Sequence, residues 1–315
     1  MDDAKARPPL LALTGATGFI GQQLQLQLLA DGFRLRVLVR PDSPRQGNIL
    51  PGVQAVPVRL DDAVGLAEAV HGVNAVIYCA GSVRGRVPAD FAAANVDGVR
   101  YLASVLSELE APPPVLLISS LAASRPEISD YAASKAEGER QLRAHPELAW
   151  TILRPPAVYG PGDKEMRPVL AWVRRGIAIV PGPRGQRLSL LYAQDLASAV
   201  AAWLASGTAC SHQVFEIDDG HPNGYDWDQI GKAVAHGRVR QVHVHATVLE
   251  LLARLNLFLS RMLGYAPMLT PGKVRELTQD AWVCDNAAFT RITGWAPAVR
   301  LREGARRIFD NAGRG

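Results

Sequence analysis

The chain has 315 residues, of which 48% are hydrophobic and 20% charged, a balance that excludes a largely disordered protein and allows a sizeable core. Its 34 Lys and Arg against 30 Asp and Glu leave a net charge of +4 without basic blocks, which excludes the usual nucleic-acid-binding surface. Cys79, Cys210 and Cys284 lie far apart without a CxxC pair, which excludes a disulfide framework and a cysteine zinc site. We therefore expect a soluble, cytoplasmic protein without a metal site.

The first half of the chain alternates short apolar runs with stretches of helical pattern. The predicted strands are Leu10–Thr14 and residues 35–39, 53–58, 75–79, 115–119 and 150–153, and the first predicted helix covers residues 20–30. Such nearly continuous apolar runs are buried on both faces, which is typical of a parallel sheet with helices on either side. The alternation predicts an α/β fold with a doubly wound parallel sheet, the Rossmann arrangement.

After Arg154, clusters of proline and glycine divide the chain into shorter pieces. A helix over residues 195–205 and a strand over residues 214–217 are predicted next, and the remainder reads as mainly helical with loops. His243 and His245 alternate along a predicted strand and would share one face. Without a third ligand, two surface histidines are favoured over a metal site.

The most apolar stretch is Ala246–Leu263, which carries Glu250, Arg254 and Arg261. Those charges argue against a membrane-spanning helix, which needs about 20 predominantly apolar residues. We expect this segment to form core or a dimer face, or to wall an apolar substrate pocket, with membrane contact as the alternative.

A glycine-rich turn follows the first predicted strand directly. Gly15, Gly18 and Gly21 have the spacing GxxGxxG between that strand and a helix whose N-terminus faces the turn. Backbone N–H groups and the helix dipole favour an anion there, and glycines let the backbone approach it, so the turn predicts a dinucleotide pyrophosphate site. The alternative is a tight turn without a ligand.

Arg40 stands at the end of the second predicted strand, where an acidic residue would bind the ribose hydroxyls of NAD. An arginine at this place can pair with a 2′-phosphate, with help from Arg36 or Arg45, and this favours NADP over NAD. The alternative is an arginine at a strand end that faces water.

Ser119 and Ser120 end another predicted strand, and Tyr131 and Lys135 follow at the spacing YxxxK. An i, i+4 pair shares one helical face, so the lysine ammonium would lower the tyrosine pKa and make proton transfer to a carbonyl oxygen feasible. Taken alone, YxxxK is usually a solvated helix face.

These motifs together resemble the extended short-chain dehydrogenases/reductases of the NAD(P)-dependent epimerase/dehydratase superfamily. The matching segments are TGATGFIG at 14–21, YCAG at 78–81, NVDG at 95–98, ISS at 118–120, YAASKAEGE at 131–139, LRPPAVYGPGD at 153–163, LLYAQDLASAV at 190–200 and GWAP at 294–297.

The resemblance implies a role for each matching residue. Tyr131 would be the general acid/base and Lys135 would hold the nicotinamide ribose. Ser120, rather than Ser119, would polarise the substrate, and Asn95 would support the proton relay. Asp195 would be a structural helix cap. The implied cofactor-binding residues are Gly15, Thr17, Gly18, Phe19, Ile20, Gly21, Arg40, Asp61, Ala80, Gly81, Tyr131, Lys135, Pro155 and Val158.

Departures from the family pattern reduce the number of reactions that the resemblance implies. Arg59-Leu60 replaces an Asp-Leu pair near the adenine, so that contact either falls to Asp61 or Asp62 or is lost. Leu121-Ala122 replaces the acid pair of sugar-nucleotide dehydratases and argues against their elimination chemistry. A short loop before Tyr131, and prolines where epimerases carry an asparagine, favour reductases of the dihydroflavonol reductase and 3β-hydroxysteroid dehydrogenase groups.

The leading hypothesis is an NADP-dependent carbonyl reductase or alcohol dehydrogenase that acts on a small or medium, mainly apolar substrate. A sugar-nucleotide 4-epimerase with tightly bound NAD and a non-catalytic dinucleotide-binding scaffold stay open as alternatives. We expect the dinucleotide-binding domain in residues 1–154 and 187–220, and the substrate-binding region in residues 155–186 and 221–315. The resemblance also implies a homodimer through helices near residues 96–109 and 131–143.

Overall fold

The computed structural model describes residues 7–235 and 237–310, so residues 1–6, 236 and 311–315 of the predicted domains lie outside the described part. The strands are β1 (Leu10–Thr14), β2 (Arg34–Val39), β3 (Gln54–Pro57), β4 (Ala75–Tyr78), β5 (Val115–Ile118), β6 (Trp150–Arg154), β7 (Ala157–Tyr159), β8 (Ile177–Val180), β9 (Arg187–Leu188), β10 (Leu190–Tyr192), β11 (Gln213–Glu216), β12 (Arg240–His243) and β13 (Ala281–Trp282). The helices are α1 (Phe19–Ala30), α2 (Ala63–Val70), α3 (Pro88–Ala92), α4 (Gly98–Ser107), α5 (Asp130–Arg143), α6 (Met166–Arg174), α7 (Ala193–Ala205), α8 (Trp227–Val234), α9 (Ala246–Leu263), α10 (Pro271–Leu277), α11 (Ala287–Thr293) and α12 (Leu301–Asp310).

A seven-stranded sheet in the order β3-β2-β1-β4-β5-β6-β11 forms the centre of the molecule. Every neighbouring pair in it is parallel, and Leu11 of β1 lies opposite Leu35 of β2 and Ala75 of β4. The strand order reverses at β1, so a crevice opens beyond the carboxyl ends of β1 and β4. The predicted doubly wound parallel sheet is confirmed.

Successive residues of β1 face opposite sides of the sheet and enter different apolar clusters. Leu13 packs with Leu24 of α1 and Val200 of α7, whereas Ala12 lies in the cluster that holds Leu102 of α4. Alternation of this kind places helices on both faces and explains the continuous apolar runs.

Strand β3 departs from the prediction of burial on both faces. Gln54, Ala55 and Pro57 are exposed because β3 is the edge strand, paired only with β2 in the sheet. Proline is tolerated at such an edge, where its missing N–H leaves no ladder bond unmade.

The chain returns to the sheet with α7 and β11. Val214 of β11 pairs with Ile152 of β6, and α7 packs against α1. Asp195 does not cap α7, contrary to expectation; its carboxylate accepts hydrogen bonds from the backbone N–H groups of Ala298 (3.1 Å) and Val299 (2.8 Å). It therefore ties α7 to the segment before α12, while the interleaved domain division stays a prediction.

The C-terminal region is rich in helices, as expected, and has its own apolar cluster around Tyr159, Leu170 and Trp227. Short parallel strand pairs connect its segments: β7 pairs with β10, β8 with β12 and β9 with β13. His243 ends β12 but His245 is the N-cap of α9, so the prediction that both share a strand face is wrong. Across residues 7–235 and 237–310, no group of three or more His, Cys, Asp or Glu side chains could hold a metal ion.

The apolar segment forms α9 with the predicted bounds. Ala253 and Ser260 are buried, but most of its leucines face outward, so the expectation that it belongs to the core is wrong. None of the helices within the described ranges combines the length and apolarity required to cross a bilayer.

Candidate active site

The glycine turn joins the end of β1 at Thr14 to the start of α1 at Phe19. Gly15 has a φ of +68°, and a Cβ there would lie 2.5 Å from the carbonyl oxygen of Cys79. Only glycine lets the turn pass so close to the end of β4. Thr14 Oγ1 accepts hydrogen bonds from the backbone N–H groups of Cys79 and Ala80, both at 3.1 Å, which fixes the turn at the crevice.

The N-terminus of α1 opens toward this turn without a side-chain cap. Gly18 is the N-cap and no carboxylate lies in the first helical turn, whereas Asp62 caps α2 and Ser129 caps α5. Free N–H groups at a helix N-terminus bind phosphate. Thr17 and residues 19–21 form this open end, so the residues present fit a dinucleotide pyrophosphate.

The loop after β2 is held against the turn by the buried side chain of Gln25. Its Nε2 donates to the carbonyl oxygens of Ala16 (2.9 Å) and Asn48 (3.2 Å), and its Oε1 accepts from the N–H of Leu50 (3.0 Å). Arg40 is the first residue of this loop. It is exposed at the carboxyl ends of the parallel strands, where the glycine turn also lies.

Arg36 is engaged elsewhere. Its guanidinium donates to Gln54 Oε1 (3.0 Å) and to the carbonyl oxygens of Ala69 (3.0 Å) and His71 (2.9 Å). The expectation that Arg36 assists Arg40 with a phosphate is therefore wrong.

Asp61 lies in an exposed ion pair with Arg59, Nε to Oδ1 3.0 Å. A hydrogen bond from Arg59 holds the pKa of Asp61 below its usual value. Asp62, the other candidate for the adenine contact, accepts from the N–H of Gly65 at 3.0 Å and caps α2. A contact between either carboxylate and the adenine stays a prediction.

Gly81, in the loop after β4, is where the predicted catalytic elements converge. A Cβ at this position would lie 3.0 Å from Asn95 Oδ1 and 3.9 Å from Lys135 Nζ. A side chain here would crowd the Asn95 amide, while Lys135 Nζ lies at ordinary contact distance.

Asn95 lies in a π-helical turn, Ala93–Asp97, that interrupts the helix between α3 and α4. Its Oδ1 accepts from the N–H of Ser82 (3.0 Å), and its Nδ2 donates to the Ser82 carbonyl and to Ser134 Oγ, both at 2.9 Å. Insertions of this kind are frequent at functional sites. The amide thus fixes the loop that carries Gly81 against α5.

Ser120 and Tyr131 meet at the carboxyl end of β5. Burial raises the pKa of Tyr131 to about 12, while a hydrogen bond with Ser120 acts in the opposite direction and the charge of Glu276 adds to the rise. Ser120 Oγ also accepts from the N–H of Ala122 at 3.2 Å. The two hydroxyls are therefore close enough to interact with each other.

Lys135 is buried on the same helix as Tyr131, and its Nζ donates to the carbonyl oxygen of Ile118 at 2.9 Å. Burial lowers the pKa of Lys135 to about 8, although Cys79 and Glu139 act in the opposite direction. The predicted depression of the tyrosine pKa is absent from this resting arrangement, because burial of the phenol dominates.

Pro155 and Val158 follow β6 on the same side. The buried Pro155 accepts at its carbonyl oxygen from the N–H of Leu121 (2.8 Å), and Val158 pairs with Leu191 of β10. The segment is thus fastened to the loop that begins at Ser120.

This geometry is accompanied by a sequence match over most of the sheet region. Residues 11–217 match the model of the NAD dependent epimerase/dehydratase family. The chain belongs to this family. It is an extended short-chain dehydrogenase/reductase and an NAD(P)-dependent oxidoreductase.

Relatives of this family member include two with reductase names. The chain is 31% identical to a ceramide reductase of Caulobacter vibrioides over 88% of its length and 87% of the relative. It is 27% identical to a 2-alkyl-3-oxoalkanoate reductase of Stenotrophomonas maltophilia over 95% of its length and 98% of the relative. The structure of Thermus thermophilus UDP-glucose 4-epimerase with NAD has a TM-score of 0.71 at 21% identity, covers 97% of this chain and 99% of that one, and shows the shared fold.

Glu139 is a buried residue beside the candidate site to which the sequence motifs give no role. It is 2% exposed and accepts from Ser119 Oγ (2.6 Å) and from Arg154 Nε (2.8 Å). Its i, i+4 spacing from Lys135 is visible in the sequence, whereas the pairing with Arg154 depends on the sheet. Ser119 is thereby committed to Glu139, which leaves Ser120 as the serine beside Tyr131.

Glu276 is a second residue to which the sequence motifs give no role. It accepts from Ser129 Oγ at 2.5 Å, and Ser129 is the N-cap of the helix that carries Tyr131. Arg275 Nε donates to the carbonyl oxygen of Ile128 at 2.7 Å. Through these bonds α10 is attached directly to the start of α5, the helix that carries Tyr131.

Proposed function

We propose that this enzyme is an NADP-dependent carbonyl reductase that also runs in reverse as an alcohol dehydrogenase. The observation that carries the proposal is the juxtaposition of the Ser120 and Tyr131 hydroxyls, with the buried Lys135 ammonium on the same helix. Leu121 and Ala122, which follow Ser120, are buried and apolar, so they supply no second acid–base pair for elimination of water. The reductase names of the two relatives support the same choice.

Reduction of a carbonyl needs one hydride at carbon and one proton at oxygen. When bound, the nicotinamide supplies the hydride. Ser120 donates a hydrogen bond to the substrate oxygen, and Tyr131 Oη transfers its proton to that oxygen as the C=O double bond becomes a C–O single bond. The raised pKa of Tyr131 keeps the phenol protonated at neutral pH and ready to donate.

Lys135 acts on the product of that proton transfer. A phenolate is left on Tyr131, and the lysine ammonium stabilises it electrostatically. The same side chain donates a hydrogen bond to the Ile118 carbonyl and would also reach the nicotinamide ribose. Asn95 acts as a positioning residue, because its amide bonds hold the Ser82 backbone rather than the substrate.

The Tyr131→Phe substitution tests the chemistry. We expect kcat for ketone reduction to fall about 10²- to 10⁴-fold, because the proton donor is lost. Binding of NADPH should persist, since the glycine turn is unchanged. Tyr101→Phe on α4, a tyrosine beside Arg100, is the control and should keep wild-type turnover. Full turnover by Tyr131→Phe would contradict the proposed role.

Arg40 is the basis for preferring NADP. An exposed arginine at the end of β2 can form charge-assisted hydrogen bonds with a 2′-phosphate. We expect Arg40→Glu to weaken NADPH affinity roughly tenfold to hundredfold, from the loss of a charged hydrogen bond, with little change for NADH. Titration calorimetry measures the affinities for NADPH and for NADH. Arg34→Glu, exposed at the opposite end of β2, is the matched control, and an unchanged NADPH affinity in Arg40→Glu would exclude this role.

The relatives' names narrow the substrate class. One name specifies a ceramide and the other an alkylated 3-oxoalkanoate. We infer that the substrate of this chain is a ketone carried on an aliphatic chain, in agreement with the apolar substrate predicted from the sequence. Turnover of NADPH with a series of 3-oxo compounds of increasing chain length tests this, and activity that does not rise with chain length contradicts it.

A homodimer through α4 and α5 and a cytoplasmic location remain proposals that rest on the family resemblance. Light scattering tests the first, since a monomer at micromolar concentration would contradict it.

A further inference from the structure

Helix α9 presents a broad apolar face that the rest of residues 7–235 and 237–310 leaves uncovered. Its exposed side chains include Leu251, Leu252, Leu255, Phe258, Met262 and Leu263. Leu251, Met262 and Leu263 keep 69%, 70% and 73% of their surface. Contiguous apolar surface of this kind marks an interaction site in a folded protein.

The exposed side chains lie along one side of the helix. Leu251, Leu255 and Met262 recur at i, i+4 and i+11, which at 3.6 residues per turn places them on one stripe. The buried residues Ala253 and Ser260 lie on a different side and seat the helix on the protein. The helix is therefore anchored along one side and apolar toward solvent along another.

Positive charge borders this apolar face. Arg254 and Arg261 are exposed and lie seven residues apart, so they follow one flank of the stripe, where Arg254 also forms an ion pair with Glu250 at 3.8 Å. Residues 237–275 contain six Lys and Arg against one acidic residue, Glu250, while the whole chain has a net charge of only +4. The segment that carries α9 therefore has a local excess of positive charge.

The same segment is joined to the candidate active site. Asn256 Nδ2 donates to the carbonyl oxygen of Leu269, just before α10, at 2.9 Å. On α10, Glu276 accepts from Ser129, two residues before Tyr131. One short helix therefore separates the apolar face from the catalytic helix.

We propose that α9 docks this protein on a membrane surface that carries anionic headgroups. The helix lies flat in the interface, with Leu255 and Phe258 among the acyl chains and Arg254 and Arg261 at the headgroups, as amphipathic helices with a basic flank do. Delivery of an aliphatic substrate from the bilayer to Tyr131 is a consequence that rests on the proposed function. The docking itself does not depend on turnover.

Charge favours a bilayer over a second copy of the chain. Self-association through α9 would bring the same positive segment of two copies together, which costs electrostatic energy. An anionic surface complements that segment and accepts the leucine and phenylalanine side chains at the same time.

Flotation with lipid vesicles tests the proposal on the full chain. We expect it to float with phosphatidylcholine vesicles that contain phosphatidylglycerol, and roughly tenfold less with pure phosphatidylcholine. Leu255→Glu with Phe258→Glu, and separately Arg254→Glu with Arg261→Glu, should each reduce flotation at least about tenfold. Val64→Glu is the matched control, because Val64 is 72% exposed on α2 and should not change binding.

Reduction of a short, water-soluble ketone should be unchanged in all three variants, which also reports that they fold. A chain that stays unbound with anionic vesicles, or binds neutral ones equally well, overturns the proposal. A dimer that Leu255→Glu with Phe258→Glu dissociates, without vesicle binding, identifies the face as a self-association surface instead. Flotation without any ketone turnover would leave docking supported and contradict the proposed function alone.

Discussion

The sheet side and the C-terminal side of the candidate site differ in how they are held. On the sheet side, Glu139 accepts hydrogen bonds from Ser119 after β5, from Arg154 at the end of β6, and from Arg143 on its own helix α5. Its position is therefore set from several directions at once. Such a satisfied buried network specifies one arrangement of the surrounding helix and strands.

On the C-terminal side, Glu276 has fewer side-chain partners. It accepts from Ser129 Oγ and from Lys273 Nζ (2.8 Å), and the Lys273 side chain is 34% exposed on the same short helix. Beyond α10, helix α9 presents its apolar face to solvent. The predicted catalytic groups thus lie beside a buried network that is tied to the sheet, while the C-terminal region meets α5 through a carboxylate whose second partner is partly exposed.

The sharpest test of this contrast is Glu139→Gln. Removing the charge leaves the Arg154 guanidinium, only 18% exposed, without its carboxylate, and breaking a buried pair in this way costs about 3 kcal/mol or more. We expect a decrease of that size in the free energy of unfolding, measured by urea denaturation with an unchanged m value.

Glu137→Gln on the same helix is the matched control. Glu137 pairs with Arg140, which is 69% exposed, and a surface pair of this kind contributes less than about 1 kcal/mol. Equal losses in the two variants would show that the buried network does not hold the sheet side together.

Sequence reasoning reached the features that depend on local spacing. The glycines of the first turn and the pair Tyr131 and Lys135 are each recognisable within a few residues, because a turn or one helix face places them. The parallel sheet followed from runs of apolar residues, and its edge strand β3 was misjudged because an edge is defined by its neighbours.

Features that depend on partners distant in sequence could not be predicted from the sequence. The sequence predicts that Arg36 helps to bind a phosphate. In the structure its guanidinium donates instead to the carbonyl oxygens of Ala69 and His71, which lie more than thirty residues away in sequence. Glu276 meets Ser129 across 147 residues. The pattern of α9 indicates an amphipathic helix, but which side docks on the protein is decided by tertiary packing.

Glu276→Gln tests the C-terminal side of the candidate site. Because Lys273 can turn to water, we expect a loss of about 1–2 kcal/mol in the free energy of unfolding, smaller than for Glu139→Gln. Urea denaturation of the two variants side by side measures the difference. If Glu276→Gln is as destabilising as Glu139→Gln, the two sides of the site are held equally firmly.

The smallest effect concerns the charge of Lys135, whose pKa burial lowers to about 8. Below that pH the ammonium is present and stabilises the phenolate left on Tyr131; above it the lysine is neutral and proton donation becomes less favourable. Because the Tyr131 pKa is about 12, the tyrosine stays protonated throughout, so kcat/KM for reduction should be about halved near pH 8 and fall further above it. Lys135→Arg keeps its charge at every pH used, and any activity it retains should lack this decline. A decline at pH 8 that persists in Lys135→Arg would assign it to another group and remove the lysine from the proton-transfer step.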